Sequence, residues 1–481
     1  MIPVMGFAPD ADQKTPGIFS DCTNMIPALI GMEGAPAAIT ALDVPALAAA
    51  CKGAGVIYKL DYTRRTFAAT IAAIYEYSAG AWVDRSAVGG YTGGSDTRWS
   101  ITQFGDATIM ANRADTIQRS LTGAFAAIAS APRAEVVFSV GAFVMALNVD
   151  DGADKPDGWH CCAAYDDTNW VQSITTQSAS GRLVATPGRL TAGARLGDYA
   201  VAYKDKSIYI GQYVGAPVIW DWQHISGGDA GCVGKNAICD IGGAHFFVGA
   251  DNFWLFDGVR PAPLGDGTLR KWFIDNSNPQ FLYKTICTFD RERNLVWIFY
   301  PSTSADECDS ALVYHVQSKQ WGRADREIQA VLTFVGQGAT MDTLDAFGAT
   351  YDTLPDISFD SPFWAAESRS LSIFNTSNQL QKLVGVSESS DFTTGEVGDD
   401  DALSLLQQIR LRYAVKPETA SAQTFHAMNS GDTYIAGATG AINDGKFDCL
   451  KSSRWHKAKI SFTGDVRVTH QNAKFKPAGM R

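Results

Sequence analysis

The chain has 481 residues, 46% of them hydrophobic, and a formal net charge of -11 from 40 Lys and Arg against 51 Asp and Glu. That length buries a large core and predicts more than one domain, while the absence of any run of about 18 apolar residues excludes a membrane-spanning helix. The acidic balance argues against tight or sequence-specific DNA binding, which needs clustered Lys and Arg to displace counterions, yet leaves DNA open as a passing cargo that an acidic wall repels and lets slide.

Residues 1–40 are rich in chain-breaking positions: Pro3, Pro9, Pro16, Gly17, Pro27, Gly31, Gly34 and Pro36. They predict an extended arm with short strand pieces, lying on its own chain or on a neighbouring subunit. The N-terminus has no basic segment followed by an apolar core, so a signal peptide is not expected.

Strand signals begin near residue 54. Ile74-Tyr-Glu-Tyr-Ser-Ala-Gly-Ala-Trp82 is a strand, a small-residue turn and an aromatic, and Val313-Tyr-His-Val-Gln-Ser-Lys-Gln-Trp321 repeats it with Tyr75 and Trp82 matched by Tyr314 and Trp321. Ile117-Gln-Arg-Ser-Leu-Thr-Gly-Ala-Phe125 is a fainter copy. Further hairpins are predicted over residues 101–111, 135–149, 199–213 and 285–300. The stretch around which the rest is organised is His245-Phe-Phe-Val-Gly-Ala-Asp-Asn-Phe-Trp-Leu-Phe-Asp-Gly-Val-Arg-Pro261. Its Phe, Val and Trp suit a pleated surface, and Asp251 and Asn252 suit the turn between two strands.

The 199, 245 and 285 hairpins follow one another at roughly 40–45 residues, the length of a four-stranded propeller blade. Such units close into a ring because a ring leaves only short, protected edges. The expected fold is therefore all-β, a β-propeller with six blades spanning 41–345, and a generic β-sandwich is the alternative. The aromatics Trp82, Phe125 and Trp321 are expected between blades. Residues 150–195 break the rhythm and read as an inter-blade insertion. Residues 346–481 form a β-rich C-terminal segment that completes or extends the body. Within or beside it lie the turn repeats Met341-Asp-Thr-Leu-Asp345 and Tyr351-Asp-Thr-Leu-Pro355.

The nine cysteines are scattered and contain no Cys-x-x-Cys, a pattern of reduced, mostly buried thiols in a protein made in a cytoplasm. His160-Cys161-Cys162 is the one tight His/Cys cluster, but adjacent ligands need two distant partners to complete a tetrahedral site. Cys232 and Cys239 are too far apart for a zinc knuckle. Asp150-Asp151 and Asp399-Asp400-Asp401 offer oxygens to a hard cation but match no EF-hand loop, and solvated acidic loops are the simpler reading. Gly89-Gly-Tyr-Thr-Gly-Gly94 is a flexible loop with no helix after it to cradle a phosphate. No Gly-x-Ser-x-Gly or phosphate loop is present. No catalytic, cofactor-binding or metal-binding residue is assigned, and no enzyme activity is expected.

Three stretches resemble the tail nozzle (tail hub, or DNA-stabilisation) proteins of short-tailed bacteriophages. The first is Pro9-Asp-Ala-Asp12 with Thr15-Pro-Gly-Ile18, Asn24-Met-Ile-Pro27 and Gly31-Met-Glu-Gly-Ala-Pro36. The second is Gly197-Asp-Tyr199 with Tyr203-Lys-Asp-Lys-Ser-Ile-Tyr209, Tyr213-Val-Gly-Ala-Pro217 and Trp220. The third is Asp251 to Pro261 with Leu264-Gly265. Tyr351 to Pro355 with Phe359-Asp-Ser-Pro-Phe363 adds a weaker fourth. Their shared order carries more weight than any one of them.

The resemblance implies a virion structural protein, assembled in the bacterial host cytoplasm. It would be a propeller subunit of a hexameric tail ring that encloses the DNA exit channel, retains and conducts double-stranded DNA, and docks an adaptor and fibres, spike or needle. No membrane insertion is implied. On this reading Pro9, Asp10, Pro16, Gly17, Asn24, Pro27, Gly34 and Pro36 belong to a ring-assembly arm, and Asp399, Asp400 and Asp401 are candidates to line the channel. The alternative is a monomeric β-propeller binding protein or glycan-active enzyme.

Overall fold

The computed structural model describes residues 1–41, 44–335 and 369–480. Among the described residues the chain is nearly all β, with one α-helix, Arg270–Asn276, and one 3-10 turn, Leu282–Lys284. Six four-stranded antiparallel sheets stand free as propeller blades, the number expected. Blade 1 covers residues 53–84, blade 2 100–127, blade 3 133–182, blade 4 190–225 and blade 5 238–263, and blade 6 is built from 330–335, 369–385 and 37–40. A further four-stranded meander, residues 286–325, stands in the circle between blades 5 and 6 and continues at its outer strand into a ten-stranded sheet. The first strand of each unit faces the axis, and the first strand of blade 6 packs beside that of blade 1, which closes the circle.

The closure is held from outside as well. Ala37–Thr40, from the N-terminal region, is the outermost strand of blade 6 and pairs with Leu380–Gly385. Joining the two ends of the circle in one blade ties opening of the ring to loss of a strand pairing.

The core lies between blades, because each twisted sheet is apolar on both faces. Phe67 of blade 1 meets Phe125 of blade 2 edge-on at 5.4 Å. Trp82 packs beside Phe374 of blade 6 and donates its indole N–H to the Pro45 carbonyl. Trp321 of the meander lies against Phe253 at 4.8 Å and Tyr314 at 4.7 Å. All three aromatics thus sit between units, as their positions after the turns predict. One detail differs. The strand partner of Trp82 is Tyr77, not Tyr75, whereas Trp321 does pair with Tyr314. The first copy's turn is two residues tighter, so matching tyrosine spacings do not mark equivalent ladder positions.

The predicted hairpins are present. His245–Val248 and Phe253–Phe256 are the middle strands of blade 5, and Asn252 holds the turn by accepting from the N–H groups of Phe253 and Gly265. His245 is fully buried, its Nε2 2.9 Å from the Arg195 carbonyl oxygen and its Nδ1 2.8 Å from the Tyr203 hydroxyl. A carbonyl only accepts, so Nε2 carries the proton and Tyr203 donates to Nδ1.

Two expectations are corrected. Residues 150–195 are not an inter-blade insertion: Asp154–Cys161 and Ala179–Arg182 are the third and fourth strands of blade 3. Pro156 and Gly158 fall where the ladder is interrupted opposite Asn148, so Pro156 needs no ladder hydrogen bond there. The propeller also runs past 345, since Arg369–Phe374 and Leu380–Gly385 belong to blade 6. Residues 1–40 lie on their own chain, the first of the two placements expected for the arm. Ile18–Thr23 pairs with Ser389–Thr394, and Met32–Gly34 pairs with Arg467–Met480.

N- and C-terminal strands therefore interleave into a second body of two sheets, seven-stranded and ten-stranded, the latter shared with the meander. Phe392, Ile460 and Phe462 from one sheet and Leu406, Ile409 and Phe447 from the other form its interior, continuous with the propeller core around Phe246 and Trp321. The turn repeats at 341–345 and 351–355, and Phe359 to Phe363, lie outside the described residues.

Candidate functional site at the propeller axis

Because every blade begins at the axis, the residues just ahead of each first strand arrive at one mouth of the ring. Lys52 precedes Gly53–Tyr58, Arg98 precedes Ser100–Phe104, Lys235 precedes Ile238–Asp240 and Lys284 precedes Ile286–Asp290. Four cations spread in sequence from Lys52 to Lys284 meet there. Gly234 permits the approach on one side, since a Cβ at that position would lie 2.1 Å from the Tyr283 carbonyl oxygen.

Three carboxylates answer them. Glu307 binds Arg98 at 2.7 Å, Lys284 at 3.3 Å and Lys52 at 3.5 Å. Glu135 binds Lys235 at 2.7 Å, and Asp96 binds Lys284 at 3.3 Å. Lys235 also donates to the Arg98 carbonyl. Its side chain thus runs from blade 5 to blades 2 and 3, so the axis of a single chain is crossed at this end.

The charges are unevenly placed. The four cation side chains are 5–11% exposed, whereas Glu135, Glu307 and Asp96 are 30%, 46% and 58% exposed. Burial pulls the Lys52 and Lys235 ammonium groups below the usual lysine range, with Arg98 adding repulsion to both. Burial pushes the Glu307 carboxyl up, but Arg98, Lys52 and Lys284 outweigh it and leave it below the usual range. Beside these groups lies a cavity of about 170 Å³, lined by Lys52, Arg98, Lys235, Asn236 and Gln329.

A second cavity, about 250 Å³, opens between the two sheets of the appended body. Its walls are Leu406, Ile409, Ala458 and Phe475, with Lys14 and Glu396 at the rim.

The residues singled out from sequence lie elsewhere. Gly17, Pro27 and Pro36 are buried in their own chain, Pro9, Asp10, Asn24 and Gly34 are half-buried, and Pro16 is exposed. Asp10 accepts from the N–H groups of Lys271 and Trp272 at the start of the helix. Through these contacts the segment holds a place inside the fold of its own chain. Asp399, Asp400 and Asp401 are exposed on the appended body, where Asp400 accepts from the Trp455 indole at 2.8 Å. They do not lie on the strands that line the axis.

His160, Cys161 and Cys162 are buried, with His160 Nε2 3.0 Å from the Trp170 carbonyl oxygen. Burial pushes the two thiols up to about 11 and 12. All nine cysteines are free thiols, and Cys232 is buried while Cys239 is half-buried. Asp150 lies 3.7 Å from Arg113, and Asp151 lies 2.7 Å from Lys155. Among the described residues no group of three or more His, Cys, Asp or Glu is arranged to hold a metal ion, and no helix is long and apolar enough to cross a membrane. The axial cluster was not foreseen. Its one sequence signal is a Lys or Arg one to three positions ahead of a blade's first strand.

No protein-family model matches the chain, and no curated protein does. Among solved structures, the chain is similar to PorZ of the type-IX secretion system of Porphyromonas gingivalis at 14% identity and a TM-score of 0.33, covering 61% of this chain and 40% of that one. It is similar to YCF48 from Cyanidioschyzon merolae at 9% identity and a TM-score of 0.32, covering 62% and 87%. A chain of the mitotic checkpoint complex matches at 9% identity and 0.37, covering 69% and 88%. At these scores the likenesses carry no functional argument, and the propeller assignment rests on the strand order.

Proposed function

We propose that the protein is a non-catalytic β-propeller that works by binding partners, and that the assembly it serves is the tail nozzle its sequence resembles. The observation that carries the first part is the edge strand Ile435–Ala441. Among the described residues it pairs on one side only, with Thr419–Ala427, and it is exposed along most of its length. It contains no charged residue and no proline, the usual devices that keep a sheet edge from pairing with another chain. An edge left open in this way suits strand addition by a neighbour.

The nozzle reading is supported by a meeting of the resembling stretches. Asp10, in the first, caps the helix that follows the third, and Phe7 meets Trp272 of that helix edge-on at 5.0 Å. The crossed axis adds a constraint. Duplex DNA cannot run through one chain's propeller, so a DNA channel on this reading is formed between chains.

Light scattering with negative-stain imaging, on the chain alone and mixed with a portal adaptor, tests both parts. A ring several times the 51.7 kDa chain mass is expected, and Thr439→Lys with Ala441→Lys should dissolve it into folded monomers. A folded monomer under both conditions would overturn the nozzle and leave the monomeric binding propeller.

A further inference from the structure

We infer that the axial mouth is a binding seat for a small oxyanion, a phosphate or a carboxylate, which Lys52 and Arg98 recognise. The inference is independent of the nozzle reading. It begins with Lys52. An ammonium has three N–H donors, and this one, 11% exposed, has a single hydrogen-bonding partner among the described residues, Glu307 at 3.5 Å. Arg98 spends one nitrogen on Glu307 at 2.7 Å and another on the Ser95 and Thr97 carbonyls at 3.2 and 3.3 Å, leaving its Nε without a protein acceptor among the described residues. Both side chains line the 170 Å³ cavity.

Charge points the same way. Four buried cations face three carboxylates, and the most heavily shared of these, Glu307, serves three cations from a half-exposed position. In a chain with net charge -11, the cluster is left with one cation more than its carboxylates, and the cations are its buried members. Buried charges are stable only when paired and fully hydrogen-bonded. An oxyanion in the cavity would supply acceptors to Lys52 and to the free edge of Arg98, and Glu307 is the internal carboxylate with which it competes.

The test uses the full chain and two probes, inorganic phosphate and acetate, each titrated by calorimetry at an ionic strength held constant with chloride. Saturable binding of phosphate alone identifies a phosphate seat, and of acetate alone or of both, a carboxylate-accepting one. Lys52→Gln should weaken the binding at least tenfold, while Lys206→Gln, on an exposed loop, should leave it unchanged. Glu307→Gln, which removes the competing charge and keeps the side-chain shape, should tighten it several-fold. Binding of neither probe above the chloride background by the unaltered protein overturns the inference, whatever the variants do. Binding undiminished in a folded Lys52→Gln overturns it as well.

Discussion

Lys235 of blade 5 and Glu135 of blade 3 form a 2.7 Å ion pair across the propeller axis, with the lysine side chain 7% exposed and the glutamate 30% exposed. The pair joins blades that are not neighbours in the ring, so it resists distortions of the circle that contacts between adjacent blades alone would permit.

Lys235→Met keeps the apolar stem and removes the charge, leaving Glu135 and the Arg98 carbonyl without their donor. The expected cost is about 2 kcal/mol, the range for hydrogen bonds to charged groups. A urea midpoint unchanged from that of the parent would show that the axis is held together without it.

Glu76 should make the propeller acid-labile. Its carboxylate is buried and takes Arg65 at 2.6 Å and Arg85 at 2.8 Å. Burial raises its pKa, but the two arginines outweigh burial and set it below the ordinary value. A carboxyl whose folded pKa is depressed stabilises fully above its unfolded pKa and loses that contribution as pH falls through the folded one. Stability should therefore hold at neutral pH and fall from about pH 4.5 downward. Glu76→Gln should flatten part of that fall, and at neutral pH it should cost about 3 kcal/mol by leaving two arginines short of their counter-charge. Thermal melts between pH 3 and 7 on both proteins compare the slopes.

Trp321→Ala removes the aromatic that joins the meander to blade 5 through Phe246 and Phe253. At 3% exposure it is a core residue, and its truncation should destabilise by about 3–5 kcal/mol. Equilibrium unfolding followed by tryptophan fluorescence measures this, and a loss under 1 kcal/mol would mean that the site collapses to fill the space.

Deleting residues 2–36 should prevent folding of the appended body instead of merely weakening assembly. The deletion removes the strand paired with Ser389–Thr394 and the two strands linking the meander to Arg467–Met480. Limited proteolysis should then cut early within 389–480. A truncated chain as resistant as the full one would mean that the arm is dispensable to the fold after all.

Hairpins were legible in the sequence because their causes are local. Alternating apolar residues, a small-residue turn and a closing aromatic at Ile74 to Trp82, or Asp251-Asn252 between two aromatic strands, each specify a strand pair within a few residues, and their recurrence implied a ring of blades. Asp154 to Gly158 misled because Pro and Gly ordinarily mark a loop, and only a bulged ladder against Asn148 makes room for them in a strand. What tertiary structure alone decided is what links distant positions. Glu33 pairs with Arg467 across most of the chain, and Lys52, Arg98, Lys235 and Lys284 are ordinary lysines and an arginine ahead of separate strands. Circular closure carries them to one mouth, so the charge they build there belongs to the ring's geometry and to no local stretch of residues.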